Sequence, residues 1–310
     1  MGKSAVKTKG SKFQSKFKYV KQNKVLYLLL LPTLIFFIIF HVIPILGMRL
    51  AFYDYKIMGD NVFVGLKYFE KLFSTPTFFQ ILGNTLIISA MKIFMIFPLP
   101  IIFALMLNEF KPGKFRKSVQ IISYLPHFLS WVVIAGIWFS FLSPTNGLLN
   151  SLLTAFGAEG VDPLTSKGAI RWVLLASEAW RSIGWDSIIY MTAIMGIDST
   201  LYEAARMDGA SRWQVIKSII LPALSTTMVT VLILNIGFFM NAGMDQVLNF
   251  TNPAVNSEID IIDTYVYRIG LQNSQYSFAT AASLFKGVVG TILIVVTHLV
   301  SKKLTGKGAW

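Results

Sequence analysis

The chain has 310 residues, of which 54% are hydrophobic and 14% charged, with a formal net charge of +13 and no cysteine. A soluble domain carries about 25% charged residues, so this balance argues for a protein that lives in lipid. The lack of cysteine excludes a disulfide framework, Cys-ligated zinc and a thiol nucleophile.

Residues 1–24 hold eight lysines and no acid. A nucleic-acid reading of such a run is open, but beside a long apolar stretch it reads better as a topology signal. Within it, Phe13, Phe17 and Val20 fall at i, i+4 and i+7 among lysines. That spacing suits a short basic helix on anionic lipid; the plainer reading is a solvated tail held near the surface by charge. The apolar run Val25 to Met48 is 24 residues long, too long for a signal-peptide core, and no small-x-small site follows it. It is expected to remain as a first span.

A spanning helix needs about 20 apolar residues. Six stretches qualify, near 25–48, 82–107, 118–142, 170–196, 218–243 and 278–301. The first, third and fifth are free of ions. The second holds Lys92, the fourth Glu178, Arg181 and Asp186, and the sixth Lys286. The expectation is an all-α membrane protein with a basic tail (1–24), a six-span domain (25–301) and a short C-terminal tail (302–310). Lys and Arg concentrate in the N-tail and in 109–117, 197–217 and 302–310, which carry eight, four, three and three. By the positive-inside rule these segments and both termini face the cytoplasm, and 50–80, 143–169 and 244–277 face outward.

The inner segment 199–222 carries the strongest local signals. Thr200 with Glu203 reads as a T-x-x-E capping box for a first helix over about 201–208. Gly209 supplies the left-handed turn that ends it. Ser211 with Gln214 reads as a second capping box, opening a helix that runs through Pro222 into the fifth span. Pro222 is expected to bend that helix at the bilayer. These signals alone fit an amphipathic loop resting on headgroups as well as a docking element.

In the fourth span, Glu178 and Arg181 stand at i, i+3, the spacing of a pair on one face. Trp180, Arg181, Trp185 and Tyr190, with Asp186, make an aromatic and polar stripe that suits sugars or, more plainly, a structural ion pair with interfacial tryptophans. In the fifth span Asn235, Phe238 and Phe239 share a face at i, i+3 and i+4, and Asn241 follows. Helix packing is the competing reading there. Lys92 and Lys286 fit snorkelling, a cavity lining or a bridge to a partner subunit; beside the path they would suit an acidic sugar such as a uronate oligomer. The outward loop 244–277 carries Asp245, Glu258, Asp260 and Asp263, a candidate seat for a soluble partner or an ordinary solvated loop.

No phosphate-binding G-x-x-x-x-G-K-[ST] occurs, so an ATP motor has to be another polypeptide. His41, His127 and His298 lie in three different spans, with no metal-ligand spacing. No hydrolase motif appears, and no catalytic residue is assigned. A channel filter, a repeated arginine pattern and two related halves are also missing.

Glu203-Ala204-Ala205, Gly209, Ile219 and Leu221-Pro222 stand at the spacing of the EAA loop of bacterial ABC importer permeases, which this segment resembles. "NEF" at 108–110, "YLPHFLSWVVIAGIW" at 124–138, "GWDSIIYMTAIMGID" at 184–198 and "YSFATAASLF" at 276–285 resemble the polysaccharide and complex-oligosaccharide branch of the sugar permeases. The resemblance implies a type I importer fold in which 199–222 is a coupling insert, with Glu203, Ala204, Ala205, Asp208, Gly209, Ala210, Leu221 and Pro222 at or beside an ATPase contact. It implies a second permease subunit, an ABC ATPase dimer that binds ATP and Mg, a lipid-anchored extracytoplasmic sugar-binding protein, and location in the bacterial cell membrane. No cofactor or nucleic acid is expected on this chain. The alternative is a membrane anchor or sensor that holds an ATPase without moving solute.

Overall fold

The computed structural model describes residues 22–305. The lipid-surface helix expected around Phe13, Phe17 and Val20, and Lys307 of the C-terminal tail, lie outside the described residues. The described residues are mostly helical. Its principal helices are α1 (Lys24–Phe52), α2 (Pro76–Glu109), α3 (Lys114–Phe128), α4 (Trp131–Leu142), α5 (Ile170–Met195), α6 (Ser199–Met207), α7 (Arg212–Gly237) and α8 (Tyr276–Lys303). A two-residue antiparallel ribbon joins Tyr53–Asp54 to Val62–Phe63.

Four helices, α1, α2, α7 and α8, are each long and apolar enough to cross a membrane, and α3 with α4 makes a fifth if the pair is one crossing. The third stretch differs from the straight span expected over 118–142: it is bent by 108° between α3 and α4. Pro126 opens a short 3₁₀ turn there, and Ser130 accepts from the backbone of Val133 to start a fresh helix. Stacked breaks of this kind overrule an unbroken hydrophobic run. Helix α5 has 26 residues, about 39 Å at 1.5 Å each, but carries Arg171, Glu178, Arg181 and Asp186. It is long enough to cross and falls short on apolarity.

Three wide π-type turns end two residues before a proline: 38–42 before Pro44, 92–96 before Pro98 and 216–220 before Pro222. A proline in a helix offers no N–H and its ring crowds the carbonyl four residues back. The preceding residue here reaches five back instead, as Phe97 N–H does to Lys92 O at 3.3 Å and Leu221 N–H does to Ile216 O. Pro222 is thereby absorbed into one continuous helix.

Three cores hold the bundle. Ile101, Ala104 and Leu107 of α2 pack with Met191 and Ile194 of α5 and Ile220 and Leu224 of α7. Val173 and Leu174 of α5 meet Phe250, Val255 and Ile259. Phe78 and Ile81 of α2 meet Tyr265 and Phe278. The 18-residue apolar window of α1 is by contrast entirely exposed. Loop 244–277 is pinned by its own acids. Glu258 pairs with Arg171 at 2.9 Å, Asp263 with Lys286 at 2.5 Å, and Asp260 with Arg268. Asp245 is the acid of this loop that makes no ion pair among the described residues.

Candidate functional site: a cavity joined to the insert 199–222

A cavity of about 780 Å³ opens between α2, the start of α4, α5 and the end of α7. One stripe of α5 supplies most of its polar wall: Glu178, Ser182, Trp185, Asp186 and Tyr190 recur at helical spacing. Trp131 faces it from α4, and Asn235, Phe238 and Asn241 from the end of α7 and beyond. Tyr190, 2% exposed, sits at the junction of cavity and core.

The expected site residues separate into two groups. Trp185, Tyr190, Asn235, Phe238 and Asn241 all reach the cavity. Trp180, Arg181, Phe239 and Lys286 do not line it. Phe239 fails because α7 ends at Gly237, so Phe238 and Phe239 lie in a turn and do not share a helical face; Phe239 packs into the Phe78 core. Lys286 fails because Asp263 takes it. Arg181 turns to α3 and α4, with its guanidinium 5.0 Å from the Trp131 ring and Nη2 donating to His127 O at 3.4 Å.

The i, i+3 pair Glu178–Arg181 does not form. Glu178 instead accepts from Lys92 at 2.9 Å. Lys92 Nζ also donates to Ala242 O at 2.9 Å and to Gln246 Oε1 at 2.7 Å. An ammonium has three N–H donors, so it is fully used. Gln246 Nε2 continues the network to Leu174 O and Ser177 Oγ. Gly243 has φ +97°, and a Cβ there would lie 2.7 Å from Lys92 Nζ, so glycine keeps the ammonium seated. This network ties α2, α5 and the segment after α7. Its members are 69 to 154 residues apart, beyond the reach of periodicity.

Close approach of α5 to the break between α3 and α4 depends on Gly184. A Cβ there would fall 2.1 Å from Ser123 O. Beside it, His127 and Trp185 stack with centroids 4.4 Å apart and planes 4° apart.

The insert 199–222 follows α5 directly. Helix α6 starts at Ser199, capped by Asp198, whose carboxylate accepts from Thr200 N–H at 3.0 Å. The expected Thr200–Glu203 box is therefore replaced by a cap two residues earlier. The hydrogen bonds from Thr200 hold the Asp198 carboxyl below the usual carboxylate range. Gly209 has φ +71°, the left-handed turn expected there. The Ser211–Gln214 box is present in both directions, at 3.4 and 2.7 Å. Helix α6 has no buried residue, and Met207 and Trp213 are 88% and 68% exposed. Burial raises the Tyr202 hydroxyl above its ordinary value, where it lines a groove with Glu203, Arg206 and Ala210 opposite Glu109 and Lys111. Ala204, Ala205, Asp208 and Gly209 lie outside that groove's lining, and Leu221 and Pro222 lie within α7, directly after the wide turn at 216–220.

Comparison with known proteins places these features in a family. The family described as "binding-protein-dependent transport system inner membrane component" matches residues 12–306. The polygalacturonan/rhamnogalacturonan transport system permease protein YteP of Bacillus subtilis is 42% identical, over 93% of this chain and 91% of that one. The arabinooligosaccharides transport system permease protein AraP of the same organism is 30% identical, over 90% and 88%. A solved bacterial ABC transporter involved in import of the acidic polysaccharide alginate contains a chain that is 38% identical, with a TM-score of 0.88, covering 94% of this chain and 99% of that one.

Proposed function

We propose a mechanism from one premise: the chain belongs to the family of inner-membrane components of binding-protein-dependent transport systems. It is a permease subunit of a sugar importer. One observation carries the mechanism: the insert 199–222 joins α5 to α7, and these two helices supply much of the cavity wall. A push on the insert therefore moves the walls of the path.

In this reading the chain crosses the membrane six times, through α1, α2, the bent pair α3–α4, α5, α7 and α8, with both termini cytoplasmic by Lys/Arg placement. The exposed helix α1 and the open cavity are completed by a second permease subunit. A separate ATPase dimer, holding ATP and Mg, grips α6 around Glu203, Ala204, Ala205, Asp208 and Gly209. A sugar-binding protein delivers the substrate from outside; a solved relative was crystallised with an alginate pentasaccharide-bound periplasmic protein. The motor can shift the equilibrium between outward and inward states only through contacts that differ between them. Oligosaccharides or polysaccharide fragments are the substrate class supported by the relatives, one named for polygalacturonan/rhamnogalacturonan transport and one for import of the acidic polysaccharide alginate.

The test is ATP hydrolysis in the reconstituted complex. Loaded binding protein is expected to stimulate it together with uptake. Binding of the ATPase without stimulation or uptake would leave the chain an anchor or sensor. Glu203→Lys is expected to lower recovery of the ATPase during co-purification, and unchanged recovery would remove α6 as the contact.

A further inference from the structure

Helix α3 carries a surface that neither the cavity nor the insert uses. Lys114, Ser118, Ile121, Ile122 and Leu125 stand at i, i+4, i+7, i+8 and i+11, so they share one stripe of the helix. All five are exposed, and the three apolar ones are each more than half bare. The other side of α3 is taken: Val119 packs on the core around Leu107 and Ile194, and Ser123 lies against Gly184 of α5. The stripe therefore faces away from the rest of the chain.

Its two ends differ in chemistry. The start of α3 holds Lys114, Arg116 and Lys117 and no acid. None of these three cations makes an ion pair among the described residues. The acid nearest in sequence, Glu109, is taken by Arg212 at 3.4 Å, and Lys111 lines the groove beside the insert. Phe115 stands between the cations with its ring exposed, held edge-on by Phe110 with centroids 5.2 Å apart. From Lys114 to Leu125 the helix rises about 16 Å, close to half of a hydrocarbon core of about 30 Å and so the depth of one leaflet.

We propose that this stripe is a binding site for one anionic phospholipid of the inner leaflet, its phosphate held by Lys114, Arg116 and Lys117 and an acyl chain laid over Ile121, Ile122 and Leu125. Charge selects the occupant. A neutral lipid would leave the three cations without a counter-charge, and a protein subunit would have to bring acids to cover them. An anionic headgroup supplies that charge, and each Lys or Arg beside it strengthens binding by about fivefold. The bare apolar turns next to the cations suit acyl chains and not a soluble anion. The inference rests on the topology proposed above, which puts 109–117 on the cytoplasmic side.

The test uses the full complex in vesicles. The chain has no cysteine, so Ser118→Cys carries a bimane label on the stripe, read against the unsubstituted complex treated alike. Quenching by phosphatidylglycerol with brominated chains is compared with quenching by brominated phosphatidylcholine. The first is expected to bind at least about fivefold better, Lys114→Gln with Lys117→Gln to bring that ratio below about twofold, and Lys114→Arg with Lys117→Arg to keep it. Equal quenching by the two lipids, no quenching by either because protein covers the face, or a ratio unmoved by the glutamines would each overturn the site. Labelling of Lys111→Cys by an impermeant maleimide from outside intact cells would overturn the topology and the site with it. The readout does not need uptake, so a complex that quenched as expected and moved no sugar would uphold the site and count against the importer reading alone.

Discussion

The α5 wall and the inner insert are built by opposite means. The wall is held by partners far apart in sequence: Lys92 reaches Glu178, Ala242 and Gln246, and Gly184 lets α5 touch the backbone of Ser123. The insert is held by neighbours: Asp198 to Thr200, Ser211 to Gln214, and a left-handed Gly209 between two short helices. One region ties its polar groups together across the chain, with Ser182 Oγ and Arg181 Nε left without partners. The other shapes itself locally and leaves its outer face bare. That difference suits the proposed reading, in which the wall stays assembled and the insert is the part a separate ATPase would grip.

Substitutions can break this contrast in graded steps. Glu178→Gln leaves Lys92 as a part-buried cation without its counter-charge, at a cost of about 3–5 kcal/mol. Thermal unfolding of the complex should show that loss, and Lys92→Met with Glu178→Met should recover much of it. Equal loss in the double variant would mean the pair is not the source. Gly184→Ala forces a Cβ against the Ser123 carbonyl and should destabilise by about 1–3 kcal/mol, seen as a lower Tm and loosened Trp185 fluorescence. Wild-type stability there would refute the close packing.

The insert should respond in function more than in folding. At Gly209 a Cβ meets no atom within 4 Å, so only the backbone suffers. Gly209→Val opposes the left-handed φ by about 1–2 kcal/mol and is expected to separate ATP hydrolysis from uptake while the complex still assembles. Normal coupling would detach the turn from the mechanism. Ser211→Ala removes one cap, about 1 kcal/mol, and should speed hydrogen exchange at the start of α7 with uptake little changed. The smallest effect is at Asp198. Its folded carboxyl titrates below its unfolded value, so the cap is complete at neutral pH and is lost as pH falls through the folded value, below the ordinary 3.8. Asp198→Asn should keep the cap and abolish that acid dependence of α6 exchange.

The same contrast explains what the sequence could reveal. Gly209 and the Ser211–Gln214 box act over three residues or fewer, and both are legible from residue types and spacing. The first cap was misplaced: the Thr200–Glu203 spacing fits a capping box, and only the reach of the Asp198 carboxylate to Thr200 N–H puts the cap two residues earlier. The cavity was legible through Trp185, Tyr190, Asn235, Phe238 and Asn241, which belong to aromatic and polar stripes. Its boundaries were not. Nothing in the run 118–142 announces a 108° bend except Pro126 and Ser130, and nothing local says that Glu178 prefers Lys92 to Arg181.

The wide turn at 216–220 gives the insert an aim as well as a link to the membrane. If it tightened to ordinary helix with no residue gained or lost, everything below it would twist by about 100° and shift along the axis by about 1.5 Å. Pro222 guards against that screw motion, since the ring needs the room the wide turn provides. The bearing of the insert relative to the rest of α7 is thus set by a single imino acid, Pro222.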